Sequence, residues 1–415
     1  MKSARCCAQF GANSFRLRVC DSNHPRFDNS SVARLFWVCI DPLKLDKIRS
    51  KLRTSWQIKN MKKENPLRRI IKIASVLFAG ALVLAACSSS DETTDAGTDA
   101  PVVKVGLAYD SGGRGDGTFN DAAAAGVDRA ISEFGVEVNE VEAADSDGDP
   151  ERAERLRLLA ADGYNPVIAV GFAYSAALAE VAPEFPDTTF GIVDSVVDAP
   201  NVASLIFAAE QGSFLVGTIA ATASKSGKVG FIGGMEIDLI KAFQAGYEQG
   251  AKAVNPDIEI QVAYMGPAGD NSAWNAPDRA KIATEGMIDS GVDIVYAAAG
   301  GSGLGMHQAI AAAGGSAAGY WGIGVDSDEY VLPARAEFKD NIITSMLKRV
   351  DVSVYEVIKS VVDGAPLSGI QNFDLSREGV GYSSSNPAVA PLATVADEYA
   401  AKIISGEIVV SSTLD

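Results

Sequence analysis

The sequence predicts an α/β protein of two lobes, each built on a parallel sheet, and three observations carry the expectation. From residue 102 onward, apolar runs of five or six residues recur at short intervals. Segments with Ala, Leu and Ile at helical spacing separate them. The alternation forms one series and then a second. A strand that is apolar nearly throughout buries both of its sides, which a parallel sheet covered by helices on both faces allows. Two successive series argue for two lobes; a single (β/α)8 barrel is the alternative that strand number leaves open.

In the first series, strands are expected over 103–109, 138–143, 167–171, 189–194 and 202–207, with helices near 119–134, 150–162 and 174–182. In the second, strands fall at 228–233, 259–265, 294–299 and 320–325, and helices near 236–254, 276–290 and 303–313. The strand ends are polar or glycine-rich: Asp110, Gly171 and Asp194 in the first series, then Gly233-Gly234, Gly300-Gly301 and Asp326. Open parallel sheets bind ligands at the carboxyl ends of their strands. These ends therefore point to one site built from both lobes.

Upstream, residues 62–91 read KKENPLRRIIKIASVLFAGALVLAACSSSD. A basic stretch precedes an uncharged apolar run over 73–86, the layout of a secretory signal peptide. The run is shorter than the roughly 20 residues of an ordinary membrane span. Cys87 follows Leu84-Ala85-Ala86 and resembles the lipobox cysteine that becomes the acylated first residue of a bacterial lipoprotein; a signal-anchor helix is the alternative. Met61 is the natural start of such a segment, so 61–86 is read as the signal peptide. Residues 1–60, with Cys6, Cys7, Cys20 and Cys39, show no clear period and are read as a non-native or disordered extension, a short regulatory extension being the alternative. Residues 87–101 are polar and acidic after the cysteine and read as a flexible tether. The expected location is the extracytoplasmic face of the cell membrane, held by lipid.

Charge and composition exclude several functions. From Cys87 onward the chain carries 19 Lys and Arg against 48 Asp and Glu, net −29. Such a surface repels nucleic acid and anionic membrane. His307 is the one histidine and Cys87 the one cysteine of that stretch, so neither an internal disulfide nor a Cys/His metal site is expected, and no cofactor. GxSxG is absent, because Leu304 stands where the second glycine would follow Ser302, and HExxH is absent. His307 lies in a helical pattern and reads as a structural or rim residue. Accidental carboxylate pairs abound, but nothing selects one for hydrolysis. No catalytic residue is expected.

The loop Asp110-Ser-Gly-Gly-Arg-Gly-Asp116-Gly-Thr118-Phe119-Asn120 follows a strand and opens a helix. Its carboxylates would repel phosphate and instead suit hydroxyl or amine donors, since an ionised carboxylate only accepts hydrogen bonds. Asp110 reads as a ligand contact, with helix capping as the alternative; Asp116 and Thr118 read as caps. Gly300 to Gly305 forms a second glycine turn, open between ligand approach and tight helix packing. Phe119, Phe172 and Trp274 stand beside polar strand ends, where aromatics on two sides of a cleft can sandwich a planar ring or a sugar face. For Phe172, core packing is the stronger expectation.

Several stretches resemble the basic membrane protein family of substrate-binding lipoproteins, whose best-known branch is the purine nucleoside receptor A type that feeds ABC transporters. They are VGLAYDSGGRGDGTFNDAAAAGV (105–127), GFAYSAALAEVAPEFPDTTFGIVD (171–194), NVASLIFAAEQGSFLVGTIAA (201–221), KVGFIGGMEIDLIKAFQAGYEQGAKAVNP (228–256), WNAPDRAK (274–281), AAAGGSGLG (297–305), GIGVDSDEY (322–330) and ITSMLKRVDVSVY (343–355). The resemblance implies two Rossmann-like lobes of the type I periplasmic-binding-protein fold, joined by three hinge crossings. Lobe 1 would take 102–208 plus about 349–380, and lobe 2 would take 209–348 plus about 381–415. It implies that Asp110 contacts a nucleobase, that Phe119 and Trp274 stack on its faces, and that Asn120 bonds nearby. Asp326 would take ribose hydroxyls, Lys348 would reach into the cleft, Gly300 and Gly301 would admit the sugar, and Asp194 is carried over with them. The first loop departs from the family in its glycine–arginine content, and the second aromatic is Trp rather than Phe. The implied protein is a monomeric, lipid-anchored, non-enzymatic receptor handing a nucleoside, with a purine base, to an ABC permease. Competing readings are a sugar receptor on the same fold, a cell-surface nucleoside hydrolase, and a ligand-sensing regulator.

Overall fold

A computed structural model of the chain describes residues 102–414 and the backbone of a short antiparallel hairpin, β1 (Cys6–Gly11) with β2 (Ser14–Val19). The hairpin appears where the sequence shows no strand period. The rest of 1–60, the signal segment 61–86, Cys87 and the tether up to Pro101 lie outside the described residues.

From residue 102 the apolar runs build two separate sheets of six strands, which excludes the barrel. The first contains β3 (Lys104–Tyr109), β4 (Glu137–Glu142), β5 (Val167–Ala169), β6 (Phe190–Val193), β7 (Val202–Phe207) and β13 (Gly369–Phe373). Its order is β13-β7-β6-β5-β3-β4 and every pairing is parallel. The second contains β8 (Lys228–Glu236), β9 (Glu259–Pro267), β10 (Ile294–Ala298), β11 (Trp321–Asp326), β12 (Ile342–Lys348) and β14 (Val380–Tyr382). Its order is β14-β12-β11-β10-β8-β9, with β14 antiparallel to β12 and the others parallel. Apart from the direction of β14, the two sheets repeat one plan.

Burial explains the sequence signal. The central strands β5, β6 and β10 are buried at every position, whereas the edge strand β4 reads EVNEVE and is exposed at its glutamates and half-exposed elsewhere. Helices α1 (Phe119–Phe134), α2 (Asp149–Ala161) and α3 (Ser175–Val181) cover the first sheet. In the second lobe α4 (Ala209–Ala223) and α5 (Asp238–Val254) pack backbone to backbone. A Cβ on Gly246 or Gly250 would stand 2.0 Å from the carbonyl oxygen of Glu210 or Phe214, so the contact requires glycine there. Helices α6 (Pro277–Asp289) and α7 (Gly303–Ala312) complete the other face.

The chain passes between the sheets three times: after β7, after β12, and between β13 and β14. Helix α8 (Val350–Val362) returns to the first lobe and packs on α1, and the last helix, α9 (Ala390–Ile404), packs on α4 in the second. The crossings are bonded to one another. The Ala208 amide donates to the Phe373 carbonyl (3.0 Å), and the Arg349 amide to that of Gly379 (2.9 Å). The third crossing is thus bonded to each of the other two, the build of a hinge between two lobes.

Candidate ligand-binding cleft

Those strand ends enclose a cavity of about 270 Å³. All nine candidate residues (Asp110, Phe119, Asn120, Asp194, Trp274, Gly300, Gly301, Asp326 and Lys348) line it. They come from the segments after β3, β6, β9 and β10 and from the ends of β11 and β12, which is why spacing in the sequence alone does not reveal them as one group.

The first-lobe wall is the loop 110–118. Asp110 follows β3 and is 8 % exposed. One carboxylate oxygen accepts the Ser111 amide (2.9 Å) and lies 3.6 Å from the buried Arg152 guanidinium. Burial raises the Asp110 pKa above the usual carboxylate range, with the Ser111 amide and Arg152 opposing the rise. Asp116 caps α1 as expected: its oxygens accept from the amides of Thr118 (2.9 Å), Asn120 (2.9 Å) and Asp121 (3.2 Å). Thr118 does not cap; its buried hydroxyl has no partner, because Asp116 already occupies the free N–H groups. The Asn120 amide nitrogen donates to the Asp116 carboxylate (3.1 Å) and the Ser111 carbonyl (3.3 Å). Arg114, the unusual residue of this loop, turns outward and forks between Asp128 and Glu140 on the lobe surface.

The second-lobe wall carries the larger aromatic. Trp274 lies on a 3₁₀ turn, Asn271–Trp274, and backs onto Gly234, where a Cβ would meet the indole at 2.3 Å. Gly233 and Gly234 do not end β8, which runs on to Glu236; Gly234 is the seat of the tryptophan. Phe172 is half-buried, lines the cavity and meets Trp274 edge-on at 6.4 Å across the cleft. That corrects its assignment to the core: Phe172 follows β5 at a strand end, where a side chain faces the other lobe. Gly300 and Gly301 form the turn into α7, and their α-carbons face the Trp274 carbonyl.

Asp194 and Asp326 follow β6 and end β11, the same place in each sheet, and both adopt left-handed backbone (φ 66° and 63°). Lys348, the last residue of β12, donates to Asp194 at 2.5 Å, with both side chains buried. Its ammonium also stands 4.9 Å from the Phe119 ring and 5.1 Å from that of Phe207. Asp326 has no hydrogen-bonded cation. Burial pushes its carboxyl up to about 7; Lys348 opposes the shift, while Asp194, Asp116 and Glu329 reinforce it.

Sequence reasoning missed Arg335, which also lines the cavity. His307 proves fully buried in the second lobe, bonded through Nε2 to Glu329 at 2.6 Å, so it is structural rather than at the rim. Among the described residues no three His, Cys, Asp or Glu side chains gather as a metal site would require.

The family model described as "ABC transporter substrate-binding protein PnrA-like" matches residues 102–413. A Lactococcus lactis protein named ABC transporter nucleoside-binding protein BmpA is 31% identical over 360 residues, spanning 83% of this chain and 99% of that protein. Basic membrane protein A1 of Borrelia garinii is 32% identical over 348 residues, spanning 82% and 96%. A solved ABC transporter solute-binding protein of Aeropyrum pernix K1 superposes with a TM-score of 0.66 at 30% identity, covering 75% of this chain and 94% of its own.

Proposed function

The chain belongs to the PnrA-like family of ABC transporter substrate-binding proteins, and we propose that it is a lipid-anchored receptor that captures a nucleoside, with a purine base, between its lobes and delivers it to a membrane permease. Membership makes it an extracytoplasmic binding component of a transporter, not an enzyme. The L. lactis relative carries nucleoside binding in its name, and the cleft has the chemistry for the same task.

The observation that supports the reading most is the pairing of aromatic faces with buried carboxylates in one cavity. Phe119 and Trp274 offer flat apolar faces for a base. Asp110 and Asp326 offer acceptors for amine and hydroxyl hydrogens. The two cations lining the cavity are both engaged, Lys348 by Asp194 and Arg335 by Glu329. Neither is free to hold a phosphate, so the site favours nucleosides over nucleotides. In this reading Asp110 and Asn120 meet the base, Asp326 meets the ribose hydroxyls, and Gly300 and Gly301 leave room for the sugar. Cys87 supplies the anchor.

A thermal-shift screen against nucleosides, nucleotides, free bases and hexoses tests it, because a ligand that binds only the folded state raises the melting temperature. The expected result is a shift with adenosine, guanosine or inosine and a smaller one with their 5′-phosphates. A shift with a hexose and none with any nucleoside would replace the nucleoside by a sugar.

A further inference from the structure

Behind the second-lobe wall lies a buried ionic chain that the binding chemistry above does not use. Glu329, 2 % exposed, accepts from His307 Nε2 (2.6 Å), from the Val325 amide (3.1 Å) and from Arg335 Nε (3.2 Å). Its own amide donates to Ser345 Oγ on β12 (3.1 Å). Burial alone would raise the Glu329 pKa, but His307, Arg335 and the Val325 amide outweigh it and leave the carboxyl below its ordinary range. The carboxylate is thus a fixed anion within the second lobe.

Arg335 is the outer end of this chain, and it points out of its own lobe. Nη2 donates to the Asp116 carbonyl in the first lobe (3.3 Å). The guanidinium lies over Gly117, where a Cβ would stand 2.9–3.0 Å from its atoms. Beside it, Ser327 Oγ donates to the Thr118 carbonyl (3.1 Å), again across the cleft. The segment gripped in this way, 116–118, leads directly into Phe119 and Asn120 of the cavity. Arg335 itself lines the same cavity.

We infer that Arg335 is the closure latch of the cleft: anchored through Glu329 and His307 in the second lobe, it grips the 116–118 turn of the first and so sets how long a ligand stays enclosed. The inference rests on the proposed use of the cleft for a nucleoside. Three features make the latch specific to this position. The guanidinium is planar and offers separate donors, so Nε serves Glu329 while Nη2 reaches Asp116. Gly117 lets the plane lie against the backbone. The acceptor at Asp116 is a backbone carbonyl of the capped turn, so the grip bears on the turn that carries Phe119 and Asn120.

The test measures adenosine association and dissociation by stopped-flow on the purified protein and on Arg335→Gln, Arg335→Lys and His307→Gln. Loss of a charge-assisted bond across the cleft should raise the dissociation rate of Arg335→Gln about ten-fold or more, with a much smaller change in association rate. Arg335→Lys, which keeps the charge beside Glu329 but not the fork, should fall between. His307→Gln weakens the same carboxylate from the side away from the cleft. It should lower unfolding stability at least as much as Arg335→Gln while changing the dissociation rate less. Dissociation rates that simply track stability across the three variants, or an unchanged rate in Arg335→Gln, would overturn the latch. Absence of adenosine binding to the parent would instead overturn the proposed ligand. Small-angle scattering of the ligand-free forms then still decides the latch, which requires Arg335→Gln to be more open than the parent.

Discussion

Asp194 and Asp326 occupy matching positions in the two lobes, at the ends of β6 and β11, with nearly the same left-handed backbone. Their surroundings make them different residues. Asp194 is neutralised by Lys348 at 2.5 Å, a buried pair that joins the first lobe to the strand entering the hinge. Asp326 has no such partner and burial raises its carboxyl to about 7. A left-handed aspartate costs backbone energy at both places. In the first lobe it orients a clamp. In the second it holds an acceptor open in the cavity, an arrangement that stability alone does not favour.

The comparison can be broken most sharply at Asp194. Asp194→Ala leaves the Lys348 ammonium buried without its carboxylate and should cost about 3–5 kcal/mol of unfolding free energy, read by urea denaturation. Asp326→Ala should do the reverse. It removes a carboxyl that burial disfavours in its charged form, so the ligand-free protein should be no less stable above pH 7. Adenosine affinity should nonetheless fall about a hundred-fold or more by calorimetry, because two hydroxyls lose a charged acceptor. A variant weakened equally in stability and binding would erase the distinction between the two aspartates.

Acidity sharpens it further. The folded pKa of Asp326, about 7, lies above its unfolded value of roughly 4. The folded state therefore holds the proton more tightly, and that stabilising contribution is full below about pH 4 and lost as pH rises through about 7. Hydroxyl donors prefer the ionised form. From pH 8 to pH 6 the Asp326 contribution to ligand-free stability should rise while adenosine affinity falls, by at most about ten-fold per pH unit below the pKa. Asp326→Asn should abolish the part of both trends that Asp326 supplies. The smallest effect concerns the wall: Trp274→Phe should bind within a few-fold of the parent, whereas Trp274→Ala should lose about 1–3 kcal/mol of stacking.

The same contrast explains what the sequence disclosed. Strand β7 and helix α1 were legible to the residue, because Val202–Phe207 is an uninterrupted apolar run and Phe119–Phe134 has a clear helical period. Strand β12 (IITSMLK) was not read as a strand. Its Thr344 and Ser345 are buried with hydrogen-bond partners and Lys348 is buried against Asp194, so a core strand carries polar letters. Edge strands β13 and β14 are short and largely outside the core, and α4 is apolar on nearly all sides, which removes any helical face to detect. Asp110, Asp194, Gly300, Gly301 and Asp326 were visible because strand ends carry their own polar and glycine signals, whereas Asn120 and Lys348 came only from the family resemblance. Arg335 and Glu329 gave none: they become noticeable only when Glu329 is found between Arg335 and His307, 22 positions away in the chain.

The central claim is that Asp326 holds the hydroxyl edge of a nucleoside in this cleft, and a cycle of ligand and side-chain deletions tests it most directly. Calorimetry would compare adenosine with 2′,3′-dideoxyadenosine on the parent protein and on Asp326→Ala. Removing the hydroxyls should weaken binding to the parent strongly and leave binding to Asp326→Ala nearly unchanged, a non-additivity that marks direct contact. Losses that add independently, or a dideoxy ligand bound by the parent as tightly as adenosine, would contradict it.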